Sequence, residues 1–118
     1  MRDYRKYDVW QKAHFLAVHI YKSILPSFPK SEQFDLSGQL KRAAYSIPLN
    51  NVEGCGRNTE KDFVHFLDMA LGSGQEAEYC LLLAFDLGYL SKDKYDEANE
   101  MINEVKAKLI NLIKTIRV

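Results

Sequence analysis

A chain of 118 residues is the size of one domain, long enough to bury about two thirds of the surface its unfolded form exposes and so to fold without disulfide or metal staples. Its 47% apolar and 27% charged residues are those of a globular protein, and no run approaches the ~20 apolar residues of a membrane-spanning helix. The formal net charge of zero gives no general field for a polyanion. That zero hides an asymmetry: residues 1–61 carry ten Lys/Arg and six Asp/Glu, and residues 62–118 carry six and ten. Antiparallel helices would set the two halves side by side and leave a modest basic face on the first.

The opening MRDYRKYDVWQKA mixes both charge signs and has no apolar stretch, so it does not read as a signal peptide, and a cytoplasmic protein is expected. Asp8 is placed to cap a first helix over 9–25, in which Trp10, Ala13, Ala17, Ile20 and Ile24 recur at threes and fours. Pro26 ends it, because the residue before a proline is pushed out of the α region. In the loop PSFPKSEQF, Phe28 and Phe34 are expected to pin the chain to the core and Ser31 to cap a short turn.

A second helix is expected from Asp35, its cap, to Cys55. Leu36, Leu40, Ala43 and Ile47 form its apolar stripe. Beside them runs a polar stripe, Gln39, Arg42, Ser46, Asn50, Glu53 and Arg57, at the same spacing. Pro48 lies inside the helix and should kink it, leaving the Ala44 carbonyl without its usual donor. Gly54 and Gly56 are read as the stop. Thr59 and Asp62 then resemble a capping box that opens a third helix over 60–87. Its seam is Phe63, Leu67, Ala70, Gly74, Ala77, Leu81 and Ala84, and Gly72, Ser73 and Gly74 imply close approach of another backbone. Gly88 suits a left-handed C′ position, and Ser91 caps a fourth helix over 92–116 with Ala98, Ile102, Val105 and Leu109 in its seam. The whole of 1–118 therefore reads as one all-α domain, an up-down-up-down antiparallel four-helix bundle with its second helix kinked near Pro48.

Chemistry is sparse. None of His14, His19 and His65 stands three residues after a Glu, the spacing of bundle metal sites, so no metal or other cofactor is expected. Cys55 and Cys80 have no metal-ligand spacing and read as free thiols, Cys80 in the core. There is no nucleophile motif and no phosphate loop, and the Gly-rich GCGR at 54–57 is too short for one. The polar stripe is the distinctive feature. Its first reading is a hydrogen-bonded network, with Glu53 pairing Arg57 and Arg42 reaching Glu76 near Ser73, that fixes register inside the bundle or across a subunit interface. Its second is phosphate contact by Lys41, Arg42 and Arg57, helped by Lys12 and Lys22 of the first helix, and its third is a plain solvated face. The charges near the C-terminus, Lys106, Lys108, Lys114 and Arg117, read as a solvated helix face.

The segments DVWQKA (8–13), FP (28–29), QLKRAAYSIPLNNVEGCGR (39–57), FLDMALGSGQE (66–76) and LGYL (87–90) together resemble the four-helix-bundle family of bacterial 23S ribosomal RNA intervening-sequence proteins. The block RAAYSIPLNNVEGCGR is the most specific part, with Leu49 and Asn51 in place of the family's usual small residue and Ile. The resemblance implies a cytosolic bundle that assembles into a ring, commonly a homopentamer. It also implies kinship with the accessory protein of diversity-generating retroelements, a basic ring that binds nucleic acid and a reverse transcriptase. The expectation is a non-enzymatic homo-oligomer acting with RNA or a nucleoprotein. The alternative is an oligomeric scaffold for another protein, which predicts an apolar groove. An enzyme would need a deep pocket around Glu53 or Glu76.

Overall fold

Four amphipathic periodicities give four helices in the computed structural model, which describes residues 2–117: α1 (Asp8–His19), α2 (Leu36–Cys55), α3 (Glu60–Asp86) and α4 (Lys92–Ile116). No strand occurs among the described residues. Helix α1 packs on α2, α2 on α3, α3 on α4, and α4 back on α1, with the α2–α3 contact the most extensive. The result is a rod of 43 × 24 × 19 Å. Its core is aliphatic: Leu16, Ile20, Leu40, Ile47, Leu67, Leu81, Ile102 and Leu109 are fully buried. No described helix is long and apolar enough to cross a membrane.

The first helix departs from its predicted cap and end. Asp8 is already helical and Tyr7 holds the cap position without a side-chain bond, because the Asp8 carboxylate pairs with Lys108 of α4 instead. After His19 the backbone widens into a π-helical turn over Ile20–Ile24, closed by the Leu25 N–H donating to the Ile20 carbonyl, and then tightens to a 3-10 turn over Leu25–Ser27. The wider turn keeps both Ile20 and Ile24 in the core.

In the following loop Phe28 is buried, but Phe34 is 86% exposed and pins nothing. The residue that ties this loop down is Glu32. It accepts from the Tyr89 hydroxyl at 2.7 Å and from the Leu36 N–H at 3.3 Å. Glu32 thereby serves the start of α2, and Asp35, at the cap position, makes no capping bond. The short turn Lys30–Glu32 is entered from Pro29, not capped by Ser31.

Helix α2 runs through Pro48. Gly54 does not stop it. It is a buried helical residue against α3, where an added Cβ would meet Phe63 Cδ1 and Phe66 Cβ at 3.0 Å each. The chain leaves at Gly56. Thr59 caps α3 by accepting from the Asp62 N–H at 3.1 Å, and α3 continues without interruption through Gly72–Gly74. Gly88, at φ +83°, and Ser91, accepting from the Lys94 N–H at 3.2 Å, make the last connection as predicted.

Candidate interaction surfaces

The polar stripe of α2 resolves into residues with different partners. Asn50 and Asn51 are buried, and each donates its side-chain amide back to its own helix: Asn50 to the Ser46 carbonyl at 2.8 Å, Asn51 to the Ile47 carbonyl at 2.9 Å. A buried amide needs a partner, and the carbonyl four residues back is within reach. Arg42 is exposed and donates to Gln39 Oε1 at 3.0 Å, one turn earlier. It does not pair with Glu76 within the chain. Arg57 lies with its guanidinium 4.6 Å from the centre of the Phe66 ring, and no ion pair joins it to Glu53. Glu53 and Glu76 are both exposed. The bundle thus holds no cross-helix network through these residues. One outward line of α2 is Gln39, Arg42, Ser46, Leu49 and Glu53, spaced 3, 4, 3 and 4, all exposed but the half-buried Ser46.

Helix α3 presents a matching outward line. Met69, Gly72, Glu76, Tyr79 and Leu83 follow the same 3, 4, 3, 4 spacing, and Tyr79 is 62% exposed. The two lines border one another: Gln39 and Arg42 share an open cleft with Leu83, Leu87 and Phe34. The glycine segment divides between the two sides. Gly74 packs inward, 3.3 Å from the Lys106 stem at its Cβ position, whereas Gly72 faces open space. Ser73, between them, is half-buried.

The five residues read as phosphate contacts do not form one patch. Lys12 is paired with Glu104 at 3.3 Å. Lys22 is exposed on the rim of a cleft between α1 and α4, and Lys41 lies 5.5 Å from the centre of the Tyr21 ring on the other flank of the first helix. Arg42 belongs to the α2–α3 face. Arg57 forms a corner with Arg2, Gly56 and Asn58. Arg2 donates to the Arg57 carbonyl at 2.9 Å and covers the Phe63 ring at 4.3 Å. Sequence reasoning had no signal for this partnership, because 55 residues separate the two arginines.

The basic residues near the C-terminus are also more engaged than a solvated face. Lys106 binds Glu78 of α3 at 2.8 Å in a half-buried pair, Lys108 binds Asp8 of α1, and Arg117 binds Asp68 of α3. The hydrogen bond from Lys108 holds the Asp8 carboxyl below its usual range and holds the lysine above its own. His19 Nε2 lies 3.2 Å from Glu97 Oε1, poorly aligned for a hydrogen bond. No cluster of three potential metal ligands occurs among the described residues.

These features define a small all-α helical-bundle protein whose distinctive groups face outward. The chain belongs to the 23S rRNA-intervening sequence protein family, whose model matches residues 5–111. It is similar in structure to a protein of unknown function from the S23 ribosomal protein family of Bacteroides thetaiotaomicron. The TM-score is 0.83, with 29% identity over 90% of this chain and 98% of that one. No curated protein matches the sequence.

Proposed function

We propose that the protein is a non-enzymatic, cytoplasmic homo-oligomer that serves as an accessory factor to RNA or a nucleoprotein. The observation that carries this reading is the outward α2–α3 face. Leu49, Met69, Tyr79 and Leu87 are each 45% exposed or more, and they alternate with Arg42, Glu53 and Glu76. Apolar groups rimmed by charges of both signs mark a surface that another protein covers. A second copy is the partner proposed, since its surface also carries charges of both signs. Head-to-tail contact of this face with a different face of the next copy would close a ring, and family resemblance favours five copies. The short connections from α2 to α3 and from α3 to α4 support the up-down-up-down path, and Pro48 supports a bend in α2.

For the nucleic-acid part, the support is local. Lys22 and Lys41 have no carboxylate within ion-pair distance among the described residues, and a ring would repeat each such cation around its circumference. Light scattering at micromolar concentration tests the assembly: a mass several times 13.6 kDa is expected, and a clean monomer contradicts it. Mobility shift with a structured RNA tests the partner. Binding should weaken steeply with added salt. Absence of any shift at low salt, with capture of a single protein on the particle, would establish the scaffold reading.

A further inference from the structure

The outer side of the first helix carries a line of aromatic rings that the core does not use. Trp10, His14 and Tyr21 lie on one line at intervals of 4 and 7, with the aliphatic Val18 between the last two, and Phe15 stands beside them, 66% exposed. Tyr4, Trp10, His14 and Phe15 form a connected ladder, and Tyr21 stands apart from it. Tyr4 meets Trp10 edge-on at 4.9 Å, Trp10 stacks on His14 at 5.1 Å with planes 8° apart, and His14 leads to Phe15 at 6.5 Å. The ladder ends in His14 and Phe15, both exposed, and the exposed Tyr21 ring carries Lys41 at 5.5 Å from its centre. Against Phe15 lies a cleft of about 490 Å³ between α1 and α4, with Val18, Met101 and Val105 among its walls and Lys12 and Lys22 beside it.

The charges around this face are of both signs, but most of its carboxylates face a basic side chain. Glu104 flanks it from α4 and is paired with Lys12, Asp8 is paired with Lys108, and Glu97 lies 3.2 Å from His19 without a hydrogen bond. Asp3 accepts from the Arg5 N–H at 3.1 Å. Lys22 and Lys41 flank the aromatic line from opposite sides and keep their charge for another partner. Flat aromatic rings beside unneutralised ammonium groups match an unpaired nucleotide, which offers a π-face and a phosphate a few ångströms apart. A duplex hides its base faces and a protein segment brings no repeated phosphate.

We infer that the outer face of α1 binds an unpaired stretch of a nucleic-acid strand, with bases laid on His14, Phe15 and Tyr21 and phosphates on Lys22 and Lys41. This rests on the nucleic-acid reading above and specifies its ligand as single-stranded. From Trp10 to Tyr21 the face is about 16 Å long at ~1.5 Å per residue, enough for a few nucleotides. The chain's one tryptophan lies in the ladder itself, so it reports on the site without a label.

The test is a titration of the intact protein, followed by Trp10 fluorescence, with a ten-nucleotide oligouridylate at low salt. Oligodeoxythymidylate of the same length separates RNA from DNA, a blunt RNA duplex removes free bases, and inorganic polyphosphate supplies charge alone. Oligouridylate or oligodeoxythymidylate should change the emission, and the duplex and polyphosphate should not. Phe15→Ala should weaken single-strand binding by about fivefold to a hundredfold, the range for losing one base stack, and Phe15→Leu should behave similarly, since it keeps the apolar contact and loses the ring. Lys22→Gln and Lys41→Gln should each lower the slope of log affinity against log salt by about 0.7. Equal affinity in Phe15→Ala and wild type, with unchanged Trp10 emission, would overturn the stacking site and leave RNA binding standing. No binding of any nucleic acid would remove both. A change in particle mass in Phe15→Ala, with single-strand affinity intact, would assign this face to a second copy and overturn the proposal.

Discussion

Burial holds the thiols of Cys55 and Cys80 above their ordinary pKa, since a thiolate in an apolar setting loses its hydration. Both should therefore resist an aromatic disulfide reagent at pH 8 in the native protein and react together once it is unfolded. Rapid native labelling of either would contradict its burial. Asp8 gives a second prediction at this scale. Its folded pKa is depressed by Lys108, so the stabilising contact is present above the unfolded value near 3.8 and fades as pH falls through the lower folded value. Asp8→Asn should flatten that part of the acid-unfolding curve and leave the neutral-pH fold intact. NMR titration of Asp8 with an unshifted midpoint would refute the coupling. The choice of Lys108 as its partner was not legible in the sequence. Lys108 reads as one of several surface lysines on α4, and only the packing of α1 against α4 selects it.

At the scale of elements, glycines separate two roles that look alike in the sequence. Gly54 reads as a helix stop and proves to pack against the Phe63–Phe66 turn of α3 with no room for a Cβ. Gly54→Ala should therefore destabilise by about 1–3 kcal/mol through overpacking. Gly72 has open space around its Cβ position, so Gly72→Ala should stabilise the single chain by up to ~1 kcal/mol through helix propensity. Chemical denaturation of the two variants measures both, and equal effects would undo the distinction. Helices α3 and α4 were legible because caps and periodicity agree: Thr59, Ser91 and Gly88 act where their chemistry predicts, whereas α1 and α2 were legible from periodicity alone, since neither Asp8 nor Asp35 caps its helix. The exits were less so. The π-turn at Ile20–Ile24 keeps the same i, i+4 apolar pair as an α-turn, so the sequence pattern does not distinguish them. Phe34 looks like a core residue by type and is fully outside, as an aromatic gives no sign of direction within an irregular loop.

For the whole molecule, the polar stripe of α2 was visible from spacing, but its partners were not. The buried amides turn back on their own helix, and the exposed charges lie beside apolar residues of α3 that a single-helix reading never compares with them. This juxtaposition makes the α2–α3 face testable separately from the α1 face. Leu49 and Tyr79 are 46% and 62% exposed on different helices, so replacing either by Glu should change the stability of the single chain by no more than about 0.5 kcal/mol. At a subunit contact the same changes would bury an unpaired carboxylate beside Glu53 or Glu76, a far larger penalty. Leu49→Glu and Tyr79→Glu should each lower the mass of the particle toward 13.6 kDa while helical circular dichroism stays constant. The losses should persist in high salt, because desolvation dominates over screened repulsion between exposed charges. Unchanged mass in both variants would free this face from the assembly, and its exposed apolar groups would then need a different protein to cover them.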